Sequence, residues 1–115
     1  MLVVSRFRVS PDEPDGPDDP DEQEQLRAAL EEAHAALADR PGYAAGHLGR
    51  NIDDPQLWVL VTTWAGVGSY RRALSSYDVK VAMAGVMVHA LDEPSAYESV
   101  EPGNQTNQQH PRSLS

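Results

Sequence analysis

The chain has 115 residues, a formal charge of −9 and no cysteine, which bounds it to one domain without disulfides, thiolate metal sites or a cysteine nucleophile. The acidity argues against nucleic acid and anionic membranes as partners. It is local, however: residues 11–24 hold eight of the eighteen acids and no base, so the remainder balances ten acids against nine lysines and arginines.

The opening Met1 to Phe7 meets Arg6 after only a few apolar residues, which does not read as a signal peptide, and no run is long enough to span a bilayer. A cytoplasmic protein is the expectation. Residues 2–9 read as a first strand with Val3, Ser5, Phe7 and Val9 on one face. Residues 10–19 join prolines to self-repelling acids without an apolar anchor, the composition of a mobile loop. The ligand spacing of a calcium loop is missing there. Asp19 at N-cap, Pro20 at N1 and Glu22 at N3 then open a helix running to about Asp39. Leu26, Leu30, Ala33 and Leu37 form its buried stripe, and Arg40, Pro41 and Gly42 stop it. His34 lies beside the stripe, has no second ligand at i+4, and reads as a boundary residue.

Tyr43 to Asn51 reads as a second strand in which Gly46 and Gly49 mark a bulge or a close backbone approach. Strict alternation puts Tyr43, Ala45, His47 and Asn51 on one face, so His47 is expected to be exposed or at a subunit seam. Residues 51–56 are turn chemistry and close a hairpin with Leu57 to Trp64. That third strand is apolar on both faces: Leu57, Val59, Val61 and Thr63 on one, Trp58, Leu60, Thr62 and Trp64 on the other. Both faces therefore need cover. A helix over Tyr70 to Leu74, with Val67, Tyr70 and Leu74 turned inward, follows. Residues 77–91 read as another helix with a soft point at Gly85, and 96–100 as a short last strand. Residues 101–115 read as a disordered tail, leaving 1–100 as the folded domain.

The order strand, helix, strand, strand, helix, strand gives an α+β, ferredoxin-like sandwich, an antiparallel sheet with helices on one face. Its open face is apolar, and the simplest cover is a second copy, hence a homodimer through the sheet.

The run from Gly49 to Trp64 (GRNIDDPQLWVLVTTW), followed by Val67 to Ser76 (VGSYRRALSS), resembles the antibiotic biosynthesis monooxygenase domain family. The entry Pro41-Gly42 and the approach from Asp92 to Tyr97 fit as well, so the resemblance covers residues 1–100 apart from the acidic loop. It implies a dimeric α/β barrel with a pocket between sheet and helices in each subunit. Members include cofactor-independent oxygenases of aromatic polyketide phenols, haem-degrading enzymes and modifiers of small aldehydes. The haem-degrading pattern of Asn on the first strand, Trp ending the third and His on the next helix is met only by Trp64. Ser5 stands where the Asn is expected and residues 70–77 hold no His, which disfavours haem degradation.

Cofactor-free oxygenation draws its electrons from the substrate: a small phenol or hydroquinone is held deprotonated, and its anion reacts with dioxygen in a dry cavity. The resemblance implies no metal, flavin or other cofactor for this chemistry. The expected catalytic residues are Trp64, as an indole donor, the phenols of Tyr70 and Tyr77, and His89 as a base. Ser5, Trp64 and Arg50 are expected to bind substrate, with Arg50 instead free to pair with Asp53 or Asp54. Trp64 and Tyr70 also sit at core-facing spacing, where such residues are more often plain packing. The competing reading is a non-catalytic barrel that binds a small hydrophobic metabolite or assists another enzyme.

Overall fold

The computed structural model describes residues 1–9, 20–103 and 106. The loop expected at 10–19, with the Asp19 cap, and most of the expected tail lie outside the described residues. The described elements run β1 (Leu2–Arg8), α1 (Pro20–Ala38), β2 (Tyr43–Arg50), β3 (Leu57–Trp64), α2 (Val67–Ser75), α3 (Tyr77–Met87) and β4 (Ala96–Tyr97). The sheet is antiparallel in the order β2-β3-β1-β4. As expected from its two apolar faces, β3 is central, paired along its length with both β1 and β2.

All helices lie on one face. From the sheet, Val3, Phe7, Trp58, Leu60 and Trp64 meet Leu26, Leu30, Ala33 and Leu37 of α1 and Val79, Ala82 and Val86 of α3, all buried. The α1 stripe is the one its spacing demands. Truncating a member such as Leu30, which is fully buried, to alanine is expected to destabilise by ~2–5 kcal/mol. The opposite sheet face carries Leu2, Val4, Leu57, Val59, Val61 and Thr63, which stay half-exposed in a single chain.

The C-terminal half departs from expectation in detail. Ser76, in extended conformation, ends α2 and caps α3, its hydroxyl accepting from the Val79 amide. Helix α3 stops at Met87 rather than Leu91, Gly85 does not break it, and the last strand is only Ala96–Tyr97. On α2 the inward residues are Tyr70 and Ala73, whereas Val67 and Leu74 are 46% and 36% exposed. The buried stripe is the i, i+3 pair Tyr70 and Ala73, which turns Val67 and Leu74 to the rim of this nine-residue helix.

One irregularity matters for the site. The β2–β3 register shifts between Tyr43 and Ala45, with Tyr43 opposite Trp64 and Ala45 opposite Thr63. This bulge reverses the strict alternation. Tyr43 turns to the helix side with Trp64, while Ala45 and His47 stay on the open face opposite Thr63 and Val61.

Candidate aromatic site between sheet and helices

Trp64 ends β3 on the helix side and is 3% exposed. Its backbone is held by the first residue of the chain: the Trp64 amide donates to the Met1 carbonyl at 2.9 Å, and the Met1 ammonium donates to the Trp64 carbonyl at 3.2 Å. Its indole N–H donates to Thr62 Oγ1 at 2.9 Å, within the buried layer. Two phenols flank the ring. Tyr43 meets it edge-on at 5.5 Å between centroids, and Tyr70 lies tilted at 5.5 Å on α2. Burial pushes the Tyr70 phenol above its ordinary value near 10, because the anion would lose its hydration.

Behind Tyr43 stands His34 of α1, with Nε2 2.7 Å from the Tyr43 hydroxyl. That contact is possible because residue 46 is glycine. A Cβ there, on the helix side opposite Thr62, would come 2.5 Å from His34 Nε2, collide with the Tyr43 hydroxyl, and stand 3.1 Å from the Val61 carbonyl. Gly42, at φ +90°, turns the chain into β2 and packs on Ser69 of α2, leaving no room for a side chain. The Ala65 amide donates to the Gly42 carbonyl at 2.7 Å, tying the end of β3 to this turn.

His34 also lines a groove of about 590 Å³ between α1 and β2, with Arg27, Glu31, Ala35, Ala38, Leu48 and Trp58 among its walls. Arg27 donates to Glu31 at 3.0 Å along α1. At the far end the Arg50 guanidinium lies 5.6 Å over the Trp58 ring, a cation–π contact, and its Nε donates to the Pro55 carbonyl at 2.7 Å. Trp58 Nε1 donates to Gln23 Oε1 at 2.9 Å, and the Gln23 amide donates to the same Pro55 carbonyl at 3.0 Å.

Of the residues singled out in the sequence, the structure brings Trp64 and Tyr70 together and sets the others apart. Arg50 is at the Trp58 end of the groove, and Asp54 pairs with Arg8 at 2.8 Å rather than with Arg50. Ser5 faces the helix side opposite Leu60 and lines a recess of about 90 Å³ with Phe7, Met87 and Leu91. His89 follows α3 with Nδ1 3.2 Å from the Arg8 carbonyl, at the end of β1 remote from Trp64, since Leu2 and not Arg8 pairs with Thr63. Tyr77 is 79% exposed. Tyr43 and His34, which the structure brings beside Trp64 and the groove, were not singled out as candidates in the sequence. The bulge hid the first, and nothing local to α1 marks the second. Among the described residues no group of three or more His, Asp and Glu side chains converges to hold a metal ion, and no helix is long and apolar enough to cross a membrane.

A four-stranded antiparallel sheet with helices on one face and an aromatic layer between them defines a ferredoxin-like α+β domain. Residues 19–85 match the family model of antibiotic biosynthesis monooxygenase, and the chain belongs to that family. Solved structures share the fold. SnoaB, a cofactor-independent oxygenase from Streptomyces nogalater, aligns with a TM-score of 0.67 at 18% identity, covering 90% of this chain and 96% of that one. A putative antibiotic biosynthesis monooxygenase from Nitrosomonas europaea gives 0.65 at 16% identity over 88% and 90%. Another from Chloroflexus aurantiacus gives 0.62 at 21% identity over 91% and 95%. No curated protein matches the sequence significantly.

Proposed function

We propose that the protein is a cofactor-independent monooxygenase that oxidises a small hydroxylated aromatic between its sheet and its helices. The observation that carries this reading is the aromatic layer in which Tyr43 and Tyr70 flank Trp64, joined through His34 to an open groove between α1 and β2. The apolar part of the groove wall, Ala35, Ala38, Leu48 and the Trp58 ring, favours reaction of an organic anion with dioxygen over its reprotonation where the substrate displaces water. Family membership and the likeness to SnoaB, described as a cofactor-independent oxygenase, support it.

The chemistry balances without a cofactor. A phenol whose ring carries a CH2 group ionises, and the delocalised anion passes electrons to dioxygen. Two C–H bonds are replaced by one C=O, one oxygen atom enters the product, and the other leaves as water. Arg50, in the groove, serves as a counter-charge for the anion, while Trp64 and Tyr70, which do not line the groove, form the packed layer behind Tyr43. The working unit is a homodimer joined through the open sheet face, where half-exposed Leu2, Val4, Leu57, Val59 and Val61 form one apolar surface.

Incubation with anthrone-like and hydroquinone substrates, with oxygen uptake and quinone formation recorded together, tests the reading. Saturable binding of these compounds without oxygen consumption refutes it and favours a barrel that only carries a hydrophobic metabolite.

A further inference from the structure

The packing of α1 on β2 converges on one contact that the core does not require. Its partners come from three places: His34 from α1, the Tyr43 hydroxyl placed on the helix side by a bulge, and Gly46, whose missing side chain leaves the space. We propose that the α1–β2 groove is a substrate subsite, with His34 as the base that takes the phenolic proton and Tyr43 as its positioning residue. The proposal rests on the oxygenase reading and names the residues that would start its chemistry.

With Nε2 engaged by Tyr43 at 2.7 Å, Nδ1 is the ring nitrogen left for a ligand in the groove that His34 lines. In the tautomer that serves, Nε2–H donates to the Tyr43 oxygen and Nδ1 keeps its lone pair. The substrate O–H bond then breaks toward Nδ1, the electron pair stays on the phenolate oxygen, and a neutral pair becomes an imidazolium–phenolate ion pair. Tyr43 continues to accept from Nε2–H throughout, which fixes the ring. The charged and titratable groups around His34 are Arg27 and Glu31 on α1 and Tyr43 and Arg50 on β2. Glu31 pairs with Arg27 along α1, and Arg50, held over the Trp58 ring, places its positive charge at the other end of the groove.

The dimensions indicate the ligand class. Between Gly46, beneath His34, and Arg50 the strand advances about 13 Å, and Arg27 to His34 spans roughly 10 Å of helix. The walls between are Ala35, Ala38, Leu48 and the Trp58 ring. Such a slot suits a flat fused-ring phenol, with its hydroxyl at His34 and an acidic substituent toward Arg50.

The test uses 4-nitro-1-naphthol, a two-ring phenol with a coloured anion, and the full chain without oxygen. At a pH below the probe's own midpoint, the wild type is expected to raise the anion band saturably. His34→Gln, whose amide still reaches Tyr43, should cut that band at least tenfold. Tyr43→Phe should move the bound probe's titration midpoint back toward that of the free probe. Ala38→Trp, at an exposed wall position, should weaken binding tenfold or more with the circular dichroism spectrum unchanged. An anion band equal in wild type and His34→Gln, or indifferent to Ala38→Trp, overturns the proposal. The anaerobic readout keeps the two readings separable. A wild-type anion band lost in His34→Gln, without oxygen uptake on any substrate, supports the groove and overturns the oxygenase. Oxygen uptake without the band does the reverse.

Discussion

Gly46→Ala is the sharpest probe of the site's packing. In an ordinary strand this change is neutral or stabilising, because alanine has less freedom to lose on folding. Here the new Cβ would stand 2.5 Å from His34 Nε2, collide with the Tyr43 hydroxyl, and approach the Val61 carbonyl to 3.1 Å. Tyr43 packs edge-on against Trp64 at 5.5 Å and is bonded to His34, so making room for the Cβ means parting the two rings. Losing that hydrogen bond costs about 1 kcal/mol, and overpacking adds ~1–3 kcal/mol. The expected destabilisation is therefore ~2–4 kcal/mol, a fall in Tm of roughly 8–16 °C for a domain of this size. Urea unfolding of a double-mutant cycle locates the cause. In a His34→Ala, Tyr43→Phe background the same Cβ meets neither Nε2 nor a hydroxyl, and Gly46→Ala should cost less than about 1 kcal/mol there. Equal costs in both backgrounds would place the strain in the β2–β3 backbone and refute the account of why residue 46 is glycine.

Other outcomes follow from single contacts. Thr62→Val and Trp64→Phe each leave a buried partner unsatisfied and should each destabilise by about 1–3 kcal/mol, while the double variant costs little more than the worse single one; additive losses in urea unfolding would show that the 2.9 Å bond carries nothing. Val61→Asp places a charge on the open face, not in the helix-side core, so light scattering should find a dimer for the wild type and a folded monomer for the variant; an unchanged mass refutes the sheet-face dimer. The hydrogen bond from Arg6 holds the Glu93 carboxyl below its ordinary 4.5, so the pair's stabilisation is present above that pH and is lost as pH falls through the depressed value. The Tm gap between wild type and Glu93→Gln should narrow on acidification, and a gap that does not change with pH would contradict the assignment. Tyr70 has the opposite sign: its folded value is raised, so stability falls as pH climbs past about 10, and Tyr70→Phe should remove a phenol that titrates above about 10 in ultraviolet absorbance.

The strand order, the central place of β3 and the α1 stripe were legible because each rests on periodicity over seven or more residues. The inward facing of Trp64 was legible for the same reason, and that of Tyr70 from helical spacing. Tyr43 was not: one extra residue at the bulge inverts the parity on which its face was assigned. His34 has no local signature, since its meaning depends on a hydroxyl nine residues away and on the emptiness of residue 46. The inward face of α2 was misplaced because nine residues hold too few turns to choose between Ala73 and Leu74 as the inward partner of Tyr70.

The unequal lengths of the strand pairings carry over into time. Strand β3 is bonded on both sides along its whole length, whereas β4 meets β1 through Leu2–Tyr97 and Val3–Ala96 alone. Amide hydrogens of residues 59–62 should therefore exchange with deuterium only when the whole domain opens, and those of 96–97 in local fraying. Thr62 lies in the slowest segment and Trp64 borders it, while Met1, which grips Trp64 from the chain end, adjoins the fastest. The indole thus stands on an anvil with one loose edge, and any breathing that admits a molecule as small as dioxygen should begin from the β1–β4 side.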